Sequence, residues 1–109
     1  MADVTFDEFK KLDLVVGTVK SVQPHPNADK LYVLEVDLGE EQPRTLVAGL
    51  KGYYTPEQLD GKQLVVVANL QPKAMRGIES RGMLLAAQEG DRVVIIAPEA
   101  PLAPGSKVL

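Results

Sequence analysis

Every apolar run in this chain is short, and glycine or proline closes each one before it can extend into a long helix. Val15, Val16, Thr18, Val19 and Val22 crowd the stretch from Leu14 to Gln23, and Gly17 within it suggests a bulge or bend in a strongly curved strand. Tyr32, Leu34, Val36 and Leu38 alternate with Val33, Glu35 and Asp37, the period of a strand buried on one face. Further strand-like runs occupy Arg44 to Ala48, Leu64 to Ala68, Met83 to Ala87 and Arg92 to Ile96. The tail from Pro98 to Gly105 holds three prolines, which rules out regular helix or a central strand there.

Only two places read as helix. Thr5 with Glu8 three residues on forms a capping box, and Val4 and Phe9 stand where a hydrophobic staple would close. Thr55 caps a second short helix with Pro56 at its first position and Gly61 as its stop. Short strands with one helix between the third and fourth predict an all-β fold, an OB-fold five-stranded Greek-key barrel. The inserted helix disfavours an SH3-like barrel. At 109 residues and 45% hydrophobic composition the chain reads as one domain, residues 1–109, with one modest core.

Charge divides unevenly. Residues 1–61 carry 6 basic and 11 acidic side chains, whereas residues 62–109 carry 6 and 4. A polyanion site is therefore to be sought in the second half. Without cysteine there is no disulfide, thiolate metal site or cysteine nucleophile, and one histidine cannot build a multi-histidine metal centre. No apolar run approaches the roughly 20 residues of a membrane span, and the N-terminus has no basic-then-apolar leader. The expectation is a cytoplasmic protein with no cofactor and no metal.

Catalytic candidates fail one by one. Ser80 lacks the glycine two residues earlier that a nucleophile elbow needs, since Ile78 stands there. His25, between two prolines, reads as a solvated loop histidine. Glu35 and Asp37 recur at strand spacing on the face opposite the apolar one, as on a solvated sheet. Gly77 and Gly82 fit neither a P-loop nor a dinucleotide fingerprint.

A binding surface is better supported. In the stretch from Asn69 to Ala87, Lys73, Arg76 and Arg81 face a single carboxylate, Glu79, on a protein of net charge −3. The alternative is a solvated hairpin whose arginines simply face water. As a site, Lys73, Arg76 and Arg81 supply phosphate contacts, Asn69 and Ser80 bond phosphate or ribose hydroxyls, and Lys30 enters from the first loop. Met83 is a rim candidate, with core packing its alternative. Two phenylalanines and three tyrosines leave few stacking platforms for single strands, and Tyr53-Tyr54 reads as packing.

Phe9, Asp13-Leu14, Gly17, His25-Pro26-Asn27-Ala28-Asp29-Lys30-Leu31, Val36-Asp37, Ala48-Gly49-Leu50, Asn69-Leu70 with Pro72, Met75-Arg76-Gly77-Ile78 and Ser80 with Gly82-Met83 follow one family's order and spacing. By these residues the chain resembles the tRNA-binding domain of methionyl-tRNA synthetase C-termini and of free-standing dimeric tRNA-binding proteins. The resemblance implies an OB barrel, a homodimer, and recognition of tRNA by shape, at the outside corner of the L. It also implies a methionyl-tRNA synthetase catalytic chain as a possible partner. The chain departs from the family at Val15, where arginine is usual, at Ala48, where serine is usual, and at Ala74, where lysine is usual. If the segment is extended, Lys73 faces the opposite way from position 74 and contributes little; on a flexible loop it substitutes for the missing charge. A second function, on the same fold, is a dimeric peptide-binding chaperone like CsaA.

Overall fold

The computed structural model describes residues 2–109. Helix α1 (Phe6–Lys10) begins with the expected capping box, Thr5 Oγ1 accepting from the Glu8 amide and the Glu8 carboxylate accepting from the Thr5 amide. None of its residues is buried, and Val4 is 70% exposed, so the staple covers no apolar surface. The strands are β1 (Leu14–Pro24), β2 (Tyr32–Asp37), β3 (Arg44–Ala48), β4 (Gln63–Val67), β5 (Lys73–Met75), β6 (Ile78–Ser80), β7 (Met83–Leu84), β8 (Ala86–Glu89) and β9 (Arg92–Ile95). Helix α2 (Pro56–Leu59) lies between β3 and β4, with its own capping box from Thr55 and Gln58.

The main sheet has the antiparallel order β3-β2-β1-β4-β7. Strand β1 serves two neighbours, its first half paired with β4 from Leu14 to Thr18 and its second with β2 from Thr18 to Pro24. One strand can do this only by bending. The bend is a bulge between Val19 and Ser21, not at Gly17 as the sequence suggests. Gly17 instead makes room: a Cβ there would stand 2.6 Å from Val36 Cγ1 and 2.8 Å from Leu38 Cδ2. The Arg81 amide donates to the Thr45 carbonyl at 2.9 Å, tying the chain after β6 onto β3 and completing a nearly closed five-stranded barrel.

The alternation read from Tyr32 to Leu38 is the observed burial pattern, and Leu34, Leu46, Leu59 and Leu64 sit fully inside. Each such side chain contributes about 1.5–3 kcal/mol by leaving water. Leu59 is the one buried residue of α2 and anchors that helix to the core. Of the two tyrosines expected to pack, Tyr54 does, its carbonyl accepting from Tyr32 Oη and its hydroxyl from the Ile95 amide, whereas Tyr53 is 46% exposed. The run from Met83 to Ala87 divides, β7 pairing with β4 and β8 with β9. The proline-rich tail ends against β1, with the Val16 amide donating to Ser106 O, Gly105 N to Val16 O and Val108 N to Leu14 O. Lys107 and Asp13 form an ion pair beside it.

Candidate nucleic-acid interface

Strands β5 and β6 form a hairpin with a two-residue turn, separate from the main sheet but packed on β3, with Lys73 opposite Ser80, Ala74 opposite Glu79 and Met75 opposite Ile78. Its turn is Arg76-Gly77, both at positive φ, 55° and 93°. That is the mirrored turn whose twist matches a hairpin, and glycine is the usual second residue because no Cβ opposes the conformation. Arginine at the first central position is unusual, and the turn carries its guanidinium at the tip.

Two tertiary hydrogen bonds fix the hairpin, one from each strand. Ser80 is 3% exposed, its hydroxyl accepting from the Val47 amide at 3.0 Å and donating to Gly82 O at 2.8 Å. The expectation that Ser80 bonds phosphate or ribose is thereby revised: its hydrogen-bonding capacity is used inside, seating β6 on β3. His25 is also buried, at 5% exposed, which corrects the reading of it as a solvated loop residue. Its Nδ1 accepts from the Asn27 amide at 3.0 Å, so Nε2 carries the proton and donates to Met75 O at 2.9 Å. The imidazole therefore ties the loop that ends in Lys30 to the carbonyl just before Arg76. Nothing local in the sequence marks this, because the two residues lie 50 positions apart.

Asn69 is engaged too. Its Oδ1 accepts from the Asp13 amide at 2.8 Å and its Nδ2 donates to Lys11 O at 2.6 Å, joining the end of β4 to the α1–β1 junction. Its amide serves first as a structural tie rather than as a free ribose contact. Arg44, which sequence reasoning missed, makes a bidentate pair with Glu40 at 2.8 Å and donates to the carbonyls of Ala68 and Arg81. Hydrogen bonding from Arg44 holds the Glu40 carboxyl below its ordinary range, and Glu40 in turn raises the guanidinium. The missed signal was the Glu40 to Arg44 spacing across a turn.

Lys30, Lys73 and Arg76 are exposed and take part in no ion pair among the described residues. Arg81 is 61% exposed at its side chain and reaches Glu79 at only 3.4 Å. Because β5 is extended, Lys73 and Ala74 do face opposite ways. Lys73 shares its side with Met75 and Ser80 and borders a cavity of about 400 Å³ that Met83 also lines, so Met83 is a half-buried rim residue. No group of three or more His, Cys, Asp or Glu among the described residues is arranged to hold a metal ion. No helix among them is long and apolar enough to cross a membrane.

The family described as "putative tRNA binding domain" matches residues 14–107. Among curated proteins, the chain is similar to the methionine–tRNA ligases of Pyrococcus furiosus, 56% identical over 108 residues, and Pyrococcus abyssi, 60% over 105. It covers 99% and 96% of itself in these matches but spans only 15% and 14% of those relatives' length. Among solved structures it resembles a MetRS-related protein from Pyrococcus horikoshii, with TM-score 0.92, 37% identity and 100% of both chains covered. It also resembles the chaperone CsaA from Bacillus anthracis, with TM-score 0.88, 34% identity, and 99% of this chain and 100% of that one covered. Matched over most of its length by the family and over all of it by a solved relative, the chain belongs to the tRNA-binding domain family.

Proposed function

We propose that this chain is a noncatalytic module that holds folded tRNA by its phosphates and shape, in the cytoplasm. The observation that carries the reading is a set of cations without an ion-pair partner among the described residues, Lys30, Lys73 and Arg76, on a seated hairpin and its neighbouring loop, on a protein whose net charge is −3. A hairpin already seated on the barrel presents its cations without the cost of ordering a loop, and the acidic remainder repels nucleic acid elsewhere. The module acts alone or beside a methionyl-tRNA synthetase catalytic chain, raising the local concentration of tRNA. Filter binding with bulk tRNA, unstructured RNA of equal length and duplex DNA at two salt concentrations tests it. Preference for tRNA with a steep salt dependence is expected, and equal affinity for a polypyrimidine strand defeats shape recognition.

The functional form is a homodimer. Helix α1 buries none of its own residues, and Phe6, Phe9 and Leu12 line an apolar depression with Val108 and Leu109. A second copy covers that face. Sedimentation equilibrium at concentrations of tens of micromolar, on the order of weak-dimer dissociation constants, decides it, since a monomer there refutes the arrangement. The likeness to CsaA favours a second reading, peptide binding. Tight binding of unfolded polypeptide with no affinity for tRNA would establish it in place of the first.

A further inference from the structure

Antiparallel partners project to the same side, so the β5–β6 register puts Lys73, Met75, Ile78 and Ser80 on one face of the hairpin. Lys73, Met75 and Ser80 of that face, with residues 70–72, Gly82 and Met83, border the cavity of about 400 Å³. Ser80 and Gly82, both buried, form its inner end, and the Ser80 hydroxyl is already committed to Val47 and Gly82. Pro72 and the half-buried Met75 and Met83 give it apolar walls. Lys73 stands exposed at the rim, and no carboxylate lines the cavity.

An apolar slot with a cation at its mouth and no acid suits a flat ring whose tether is negatively charged. We propose that this cavity is a socket for one unpaired nucleobase of the bound RNA, its adjoining phosphate meeting Lys73; the inference rests on the tRNA-binding reading and adds a base contact to it. Thioethers make favourable contacts with aromatic rings, so the two methionines and the proline do here what aromatic side chains do elsewhere on such barrels. The walls offer no hydrogen-bond code, so the socket selects for a base being unpaired rather than for which base it is. Residues 70–72 also wall a second groove, of about 330 Å³, lined by Arg44, Arg81 and Asp13. Arg44 is paired there with Glu40 and Arg81 reaches Glu79, so among the described residues the free cation a strand meets at this loop is Lys73 on the cavity side. An uncharged apolar peptide would use the walls and leave Lys73 idle.

The chain has three methionines, so a spectrum of the full protein with ¹³C-labelled methionine methyls is easily resolved and assigned through Met75→Leu and Met83→Leu. The probes are bulk tRNA, a six-nucleotide oligoadenylate, and an abasic strand with the same phosphates. Oligoadenylate and tRNA should move the Met75 and Met83 methyls upfield through the ring current of the base, and the abasic strand should leave them in place. Met83→Gln should weaken tRNA binding about fivefold or more, as removal of a stacked base does, without changing the salt slope, because every phosphate keeps its cation. Methyls that stay still at tRNA saturation, or that move equally with the abasic strand, overturn the socket while tRNA binding stands. Methyls that respond to an uncharged apolar peptide and not to oligoadenylate overturn it in favour of a peptide groove. Failure of all three nucleic-acid probes to bind removes the tRNA reading itself, and the socket with it.

Discussion

Arg76 occupies the first central position of the β5–β6 turn at a φ of 55°, where asparagine is favoured and a long side chain is not. A non-glycine residue in this region costs about 1–2 kcal/mol, and asparagine less because its short amide bonds locally. Arg76→Asn creates an Asn-Gly turn and should stabilise the fold by about 0.5–1 kcal/mol, raising Tm by about 2–6 °C for a domain of this size. The same change removes an unpaired cation and should weaken tRNA binding roughly fivefold, lowering the salt slope by about 0.7–0.9 for the one phosphate left without its cation. Arg76→Ala separates the two effects: alanine keeps the strained backbone, so Tm stays near that of the parent while the drop in affinity matches that of Arg76→Asn. Thermal unfolding and filter binding at two salt concentrations give all four numbers. A lower Tm for Arg76→Asn would show that the turn is not strained. Unequal drops in affinity in the two variants would show that turn shape, rather than charge, carries the interaction.

Lys73→Ala should cost about as much affinity and salt slope as Arg76→Ala, because Lys73 faces the cavity; no change would place it outside the interface. Ala74→Lys sets its ammonium directly opposite Glu79, where a cross-strand pair worth about 0.2–1 kcal/mol neutralises it, so affinity for tRNA should rise less than twofold. Ser80→Ala strands the buried Val47 amide and should cost about 1–3 kcal/mol in urea unfolding, and a cost under about 0.5 kcal/mol would mean that the seat of the hairpin lies elsewhere. Glu40 is held below its ordinary 4.5, so the stability it lends is fully present above that pH and is lost as pH falls through the lowered value. The advantage of the parent over Glu40→Gln, under about 1 kcal/mol for so exposed a pair, should therefore close below about pH 4.5, and an advantage that grows on acidification contradicts the pairing.

What was legible in the sequence was what neighbours decide. The capping boxes at Thr5 and Thr55, the alternation from Tyr32 to Leu38 and the stop at Gly61 all depend on residues within a few positions, and all stand where the pattern put them. The barrel followed from their order. Roles set by distant partners were not legible: His25 looks solvated until Met75 O is brought to it, and Ser80 and Asn69 look free until Val47 and Asp13 arrive. Gly17 misleads for a related reason, since its constraint comes from Val36 and Leu38, on and just beyond the neighbouring strand β2, and not from its own strand. The candidate cations could be named because charge shows in composition, but the face that Lys73 occupies could be assigned only once the register of β5 and β6 was known.

The strip of backbone contacts between the tail and the first half of β1 sets a clock on folding. Its ion pair joins residues 94 positions apart, so this edge is sealed only after nearly the whole domain has left the ribosome. Loop closure over that length is slow compared with the local hairpins, which leaves β1 with one unpaired edge while the rest of the sheet is already able to form. During that interval the edge can pair with a neighbouring nascent chain, and shortening the tail makes the interval permanent.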